Sequence, residues 1–152
     1  MMELHYMIRH HSRRWEHDIN GTDNMDKGRI KNILFAADTF KECNQFLNDL
    51  ANDLFEKGII FDINKRAMSI KTKNARLICA SETSSYSGLF QSPPFDYYIF
   101  TGYARWEEHG FHKLCISRTK IGAIEIDDMN DLIRVMLGEE MLNGRGNDNK
   151  TS

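Results

Sequence analysis

Histidines are concentrated at the start of the chain and are the first residues whose chemistry has to be considered. Four of the six lie between residues 5 and 17, namely His5, His10, His11 and His17. A zinc site on a helix needs ligands four residues apart and a further carboxylate or thiolate directed at the same point. The sequence contains neither an HExxH nor a CxxC motif. We therefore interpret these histidines as part of a solvated, weakly basic helix face, and we predict neither a metal nor a cofactor.

Carboxylates and two further histidines occur in the second half of the chain, where acid–base catalysis would need them in pairs. They are Asp96, Glu107, Glu108, Asp127, Asp128 and Asp131, with His109 and His112 beside an aromatic stretch. Such groups share acid–base work only when folding brings them together and separates their pKa values. The three aspartates at 127–131 are explained by the start of a helix, where the helix dipole favours acidic side chains. No catalytic residue is predicted, and an enzyme of another type remains a third alternative.

Charge is unevenly distributed along a chain whose net charge is only −2. The segment 62–76 has five basic residues against one acidic residue, and the segment 125–140 has six acidic residues against one arginine. The five basic residues are Lys65, Arg66, Lys71, Lys73 and Arg76. They could contact phosphates, which is the sequence-independent part of nucleic-acid binding, or they could protect an edge strand from aggregation. The acidic segment could mimic nucleic acid or dock a basic partner.

Aromatic side chains are the third group that could bind a partner. Tyr103, Trp106 and Phe111 lie in the segment YARWEEHGF at 103–111, and such residues anchor protein interfaces when they are exposed. Tyr86, Phe90 and Tyr103 could instead stack on single-stranded bases. The alternative for all of these rings is a place in the hydrophobic core.

The pattern of apolar residues predicts the elements that position these groups. A strand is predicted at 30–37, and a helix follows that begins with a capping box of Thr39 and Glu42 and ends near Gly58. Alternation over 59–81 predicts a β-meander. The remaining predictions are a polar loop over 81–94, strands at 97–101, 113–117 and 122–126, and a last helix over 128–137.

Length and composition fit one domain. The 152 residues are 41% hydrophobic and 28% charged, which is ordinary for a soluble globular protein. We predict an α/β fold in which a small mixed sheet with a β-meander is flanked by two or three helices. Residues 29–142 are predicted to form the domain, with a helix or arm over 1–19 before it and a disordered tail over 143–152 after it.

The cysteines and the hydropathy pattern predict the compartment. Cys43, Cys79 and Cys115 are far apart, and each lies in an apolar run, which is typical of reduced, buried thiols rather than of a disulfide framework. No segment has the roughly 18 apolar residues that a membrane helix needs, and the N-terminus lacks the apolar core of a signal peptide. These features predict a cytoplasmic protein without a membrane partner.

The order of elements over residues 30–108 resembles the core of P-loop ATPases of the kind found in phage large terminases and related helicase-like proteins. The similarity lies in the strand KNILFAAD, the capped helix after it, the turn and strand KNARLICAS, and the strand FDYYIF. The phosphate loop GxxxxGK[ST] is missing, and Thr101–Gly102 stands where the family has Asp-Glu. The resemblance therefore implies a degenerate P-loop-like core without ATPase activity, and no catalytic residue is carried over.

Two functions from different classes follow from these patterns. The first is a non-enzymatic accessory protein, from a phage or mobile element, that binds DNA, RNA or nucleic-acid-processing machinery through the five basic residues of segment 62–76. The second is a protein-interaction module, either an inhibitor or an oligomerising adaptor. It would bind a partner protein or a second copy of itself through the acidic last helix or the aromatic segment 103–111. Steep salt dependence of nucleic-acid binding distinguishes the first function from the second.

Overall fold

The computed structural model describes residues 29–83, 87–139 and 141. The predicted arm over 1–19 and the predicted tail over 143–152 lie outside these residues. The four N-terminal histidines and Tyr86 lie outside them as well.

A six-stranded mixed sheet forms the centre of the described chain, in the spatial order β2-β3-β4-β1-β5-β6. The strands are β1 (Lys31–Ala37), β2 (Asp62–Asn64), β3 (Ser69–Lys71), β4 (Ala75–Ser81), β5 (Phe95–Phe100) and β6 (Thr119–Glu125). The helices are α1 (Phe40–Glu56), α2 (Ser87–Gln91), α3 (Gly110–Ile116) and α4 (Met129–Met136), with a 3₁₀ turn at Gly102–Arg105. The predicted α/β class with a mixed sheet is confirmed.

Strand β1 lies in the interior of the sheet. It pairs in parallel with β4 on one side and with β5 on the other, and every residue from Ile33 to Ala37 is buried. Parallel strands with both faces covered appear in sequence as continuous apolar runs, which is why this strand could be predicted. Strands β2, β3 and β4 form the predicted antiparallel meander, and β6 pairs in parallel with β5.

Helices cover both faces of the sheet because β1 contributes apolar side chains to both. Ile33 and Phe35 point to the layer of α1 and α4, whereas Leu34 and Ala36 point to the layer of α2, α3 and the 3₁₀ turn. The first layer is filled chiefly by Leu47, Leu50, Leu54, Leu132, Val135 and Met136, and the second by Leu89, Ala104, Phe111 and Cys115. Within the described residues, no helix is both long and apolar enough to cross a membrane.

The α1 and α4 helices begin as their sequences predict. Thr39 accepts a hydrogen bond from the Glu42 backbone N–H at 3.1 Å, and the Glu42 carboxylate accepts one from the Thr39 N–H at 3.1 Å. This reciprocal pair satisfies two backbone donors that the start of a helix leaves without partners. At α4, Asp128 accepts from the Asp131 N–H at 2.9 Å, so the predicted role of these aspartates at the helix start is confirmed.

Residues 113–117 are mostly helical, so the strand predicted there is wrong. They belong to α3 and its C-cap, and the α3 N-cap His109 accepts a hydrogen bond from the Phe111 N–H at 3.1 Å. A five-residue apolar run is short enough to be either a buried strand or a helix segment, and periodicity alone cannot distinguish them. The predicted loop over 81–94 also contains a helix, because α2 occupies five of its residues.

The turn between β3 and β4 holds the C-terminal end of α4. Thr72 Oγ1 donates to the Met136 carbonyl at 2.6 Å and accepts from the Ala75 N–H at 3.2 Å. Asn74 Nδ2 donates to the Leu137 carbonyl at 3.0 Å. These side chains satisfy carbonyls that the end of a helix leaves without an intrahelical partner. Because Thr72 is buried, its hydrogen bonds are shielded from water.

Replacing Thr72→Val is expected to lower the free energy of unfolding by about 2–3 kcal/mol, because it leaves the Ala75 N–H and the Met136 carbonyl without this partner. Thr83→Val, at an exposed position, is the matched control and should change stability by less than about 0.5 kcal/mol. Urea unfolding followed by circular dichroism measures both. Equal stability of the two variants would show that the turn does not hold α4.

Candidate binding surface at the carboxyl edge of the sheet

The parallel strands β1, β4, β5 and β6 all end at one edge of the sheet, which we call the carboxyl edge. The chain leaves β1 towards α1 on one face, and it leaves β4 and β5 towards α2 and the 3₁₀ turn on the other. In open α/β sheets, ligands bind outside the carboxyl ends of the strands where the connections diverge in this way. The carboxyl edge is therefore the first place to look for a functional site.

Asp38 follows β1 and joins the ends of β1 and β5. Its Oδ1 accepts a hydrogen bond from the Tyr103 N–H at 2.7 Å. The neighbouring Thr101 donates to the Ala36 carbonyl through both its N–H, at 2.9 Å, and its Oγ1, at 3.1 Å. The carboxylate between these two strand ends is thus that of Asp38, directly after β1. At the corresponding place after β5 the chain has Thr101 and Gly102.

Residue 102 has to be a glycine because its backbone approaches the Asp38 carboxylate closely. Its φ of +56° lies in the left-handed region, and a Cβ added to it would lie 2.4 Å from both Asp38 carboxylate oxygens. No side chain fits in that space unless the Asp38 carboxylate moves and gives up its hydrogen bond to Tyr103. The backbone that carries Tyr103 and Trp106 is therefore positioned by Asp38.

Gly102→Ala and Gly58→Ala form a matched pair that isolates this contact. Both glycines have positive φ, but a Cβ at Gly58 has no atom within 4 Å. Gly58→Ala is expected to cost about 1–2 kcal/mol of unfolding free energy from the backbone conformation alone. Gly102→Ala should cost at least about 1 kcal/mol more, because Asp38 has to shift. Thermal and urea unfolding test this difference, and equal costs would contradict the role given to Asp38.

Three aromatic rings form a cluster on the segment that Asp38 positions. The Tyr103 and His109 rings are stacked with centroids 4.5 Å apart, and the Trp106 ring meets Tyr103 edge-on at 5.3 Å. Trp106 is 62% exposed and Tyr103 is 39% exposed. Phe111 is buried in the core, so of the three predicted interface residues only Tyr103 and Trp106 present surface to a partner.

Acidic side chains are the main charged groups of the carboxyl edge. The segments that form it carry Asp38, Glu42, Glu82, Glu107, Glu108, Glu125, Asp127 and Asp128, against Lys41 and Arg105. Arg105 Nη1 lies 3.9 Å from Glu125 Oε2, which places the 3₁₀ turn beside the end of β6. Burial raises the pKa of the Tyr98 hydroxyl, and the charges of Glu125 and Asp127 raise it further. The part of this rise in pKa that comes from Glu125 and Asp127 is the effect expected of a negative electrostatic potential.

A small apolar cavity opens between α1 and α4 on this edge. Its volume is about 110 Å³, and it is lined by Phe46, Ile99, Ile126, Asp127, Asp128, Met129 and Leu132. Phe46 is held in place by stacking on Phe35, with ring centroids 3.8 Å apart. The cavity is smaller than the roughly 300–1,000 Å³ of typical small-molecule sites. It fits one apolar side chain and is too small for a nucleotide.

The basic residues predicted to bind nucleic acid lie at two ends of the meander. Lys65 and Arg66 occupy the turn between β2 and β3. The Lys65 ammonium donates to Asn44 Oδ1 of α1 at 2.8 Å, so it is held towards the layer of α1 and α4. Arg66 is exposed.

The other three basic residues lie at the opposite end, where β3 meets β4. Lys71 pairs across the strands with Arg76, and Lys73 follows in the turn. Arg76 Nη2 donates to Ser92 Oγ at 3.3 Å, and its Nε is buried without a hydrogen-bond partner among the described residues. The β3 strand thus separates the two turns that carry these five residues.

Sequence reasoning missed Asp38, the stacking of His109 on Tyr103 and the cavity. Asp38 could have been found, because it directly follows a predicted strand and parallel strands end at a common edge. The stacking of His109 and the cavity depend on how distant segments meet. Within the described residues, no group of three or more His, Cys, Asp or Glu side chains is arranged to hold a metal ion.

The chain was compared with known proteins at the level of family, sequence and structure. No family model, no curated protein and no solved structure matched it.

Proposed function

We propose that this protein is a protein-interaction module whose carboxyl edge binds a basic segment of a partner protein. The observation that carries the proposal is the exposure of Trp106 and Tyr103 among carboxylates, on a backbone positioned by Asp38. Three properties of the edge support it, namely its aromatic rings, its charge and its cavity.

The aromatic rings have the properties of interface anchors. Tryptophan and tyrosine dominate the binding energy of many interfaces because they bury a large area at a small cost in side-chain entropy. Tyr103 is already held by its contacts with His109 and Trp106, so it loses little freedom on binding. A surface of this kind favours a partner that covers Trp106 with apolar atoms.

The charge of the edge selects between classes of partner. Eight carboxylates stand against two basic side chains in the segments that form it. A polyanion such as DNA or RNA is repelled by this arrangement, whereas a segment rich in Lys and Arg is attracted to it. The charge therefore favours a basic protein segment over nucleic acid at the carboxyl edge.

The cavity supplies a place for one apolar side chain of that partner. At about 110 Å³ it accommodates a leucine or methionine, and burial of such a side chain contributes about 1.5–3 kcal/mol. Asp127 and Asp128 line the same cavity. A Lys or Arg beside the buried side chain would therefore meet opposite charge.

Peptides selected from a display library of random dodecapeptides test the proposal directly. We expect the binders to carry several Lys or Arg residues and at least one large apolar residue, because both features of the edge act on them. Trp106→Ala should weaken these peptides at least tenfold, which corresponds to about 1.4 kcal/mol. Fluorescence anisotropy with labelled peptide measures the change.

Phe55→Ala is the matched control, because Phe55 is an exposed aromatic residue at the far end of α1. It should leave peptide affinity unchanged. The double change Glu107→Lys and Glu108→Lys, at two exposed positions, should weaken binding and flatten its salt dependence. Binders without basic residues, or binders unaffected by Trp106→Ala, would contradict the proposal.

Binding of nucleic acid by the five basic residues of segment 62–76 stays a prediction and needs its own experiment. Labelled single-stranded and duplex oligonucleotides at two salt concentrations are the probes, with a variant carrying Lys65→Ala, Arg66→Ala, Lys71→Ala and Lys73→Ala. If the carboxyl edge alone binds the partner, wild type and variant should both show little binding. Strong, salt-sensitive binding that the variant loses would instead favour the nucleic-acid function.

A further inference from the structure

Two of the three buried cysteines lie next to each other across the interface of α1 and β4. Cys43 Sγ in the first turn of α1 lies 3.4 Å from the Ala80 carbonyl. Cys79 Sγ on β4 lies 4.0 Å from the Cys43 carbonyl. The Cys79 thiol is therefore directed at the backbone of Cys43, and the Cys43 thiol is directed at the backbone of Ala80, the residue after Cys79. Cys115 belongs to the core on the opposite face of the sheet.

We propose that Cys43 and Cys79 form an oxidation site that a hydroperoxide converts to a disulfide between α1 and β4. The reciprocal contacts place the two sulfur atoms on facing elements. The reaction needs no third protein group, and it is independent of the function proposed above.

The surroundings of the two thiols assign them different roles. A hydrogen bond from the Cys79 thiol lowers the pKa of Cys43 in spite of burial, and the nearby start of α1 also favours a thiolate there. Burial raises the pKa of Cys79 well above its ordinary value. Cys43 is thus the nucleophile, and Cys79 is the thiol that closes the disulfide.

The chemistry balances with one hydroperoxide. The Cys43 thiolate attacks one peroxide oxygen, the O–O bond breaks, and the leaving oxygen takes a proton and departs as water or an alcohol. The Cys79 sulfur then attacks the Cys43 sulfenic acid, which forms the S–S bond and breaks the S–O bond. The released hydroxide takes the Cys79 proton and leaves as water. Two thiols lose two electrons, and the peroxide gains them.

Access to the pair is through the start of α1. Both side chains are nearly fully buried, but Cys43 lies only one turn from the exposed residues Thr39 and Phe40. Hydrogen peroxide has only two heavy atoms and needs only a local opening of that turn, which helix ends undergo more readily than the core. Oxidation should therefore be slower than at an exposed thiol, and it should still occur in the folded protein.

The test is treatment of the full chain with hydrogen peroxide, followed by alkylation, digestion and mass spectrometry without a reductant. We expect a Cys43–Cys79 linked peptide that increases with peroxide and disappears on reduction. Cys115 should remain a thiol, because burial raises its pKa to about 12. Cys115→Ser should therefore give the same yield of linked peptide as the wild type.

Two variants separate this chemistry from a loss of folding. Cys79→Ser retains the nucleophile and a hydrogen-bond donor beside it, so Cys43 should stop at the sulfenic acid and be trapped by dimedone. Cys43→Ser should remove both the trapped adduct and the linked peptide. Circular dichroism verifies that each variant is folded. Absence of the linked peptide from folded wild-type protein, or equal oxidation of Cys115, would overturn the proposal.

Discussion

The parallel pairing of β1 with both β4 and β5 is the constraint on which the rest of this structure depends. Strand β1 is buried on both faces and paired on both edges, and a side-chain carboxylate lies at each of its two ends. At its beginning, the Asn32 N–H donates to Asp96 Oδ2 at 2.8 Å, and Lys120 forms an ion pair with the same carboxylate at 2.6 Å. At its other end, Asp38 accepts from Tyr103. One carboxylate at each end thus links β1 to β5 or to the segment after it.

The proposed binding surface follows from that arrangement. With β1 fixed between its neighbours, the connections after β1 and β5 leave on opposite faces, and the space between them is closed by Asp38 and Gly102. The segment after Gly102 continues as the 3₁₀ turn, and Trp106, directly after that turn, is exposed. The acidic residues at the start of α4 lie on the same edge because β6 also runs parallel to β5.

Local patterns predicted the parts of the fold that are determined locally. The buried strand β1, the capping box of α1, the meander and the acidic start of α4 each have a signal within a few consecutive residues.

The α3 helix was missed because seven residues are too few to show a helical period. The contact between Asp38 and Tyr103 joins residues 65 apart, and no local pattern carries it. The sequence likewise could not distinguish the exposed Trp106 from the buried Phe111, since both are aromatic residues in the same segment. The five basic residues are close in sequence, but the two turns that carry them lie at opposite ends of the meander.

The hold of the β3–β4 turn on α4 has a consequence for how the chain acquires its structure during synthesis. Thr72 meets Met136 across 64 residues, and α4 supplies four buried side chains to the layer it shares with α1. A nascent chain that has emerged only as far as β6 therefore leaves the part of this apolar layer that α4 covers exposed, and the turn is without its partner. Such a chain has the features that chaperones recognise. The emergence of α4 from the ribosome is then the step that allows this layer of the core to become fully buried.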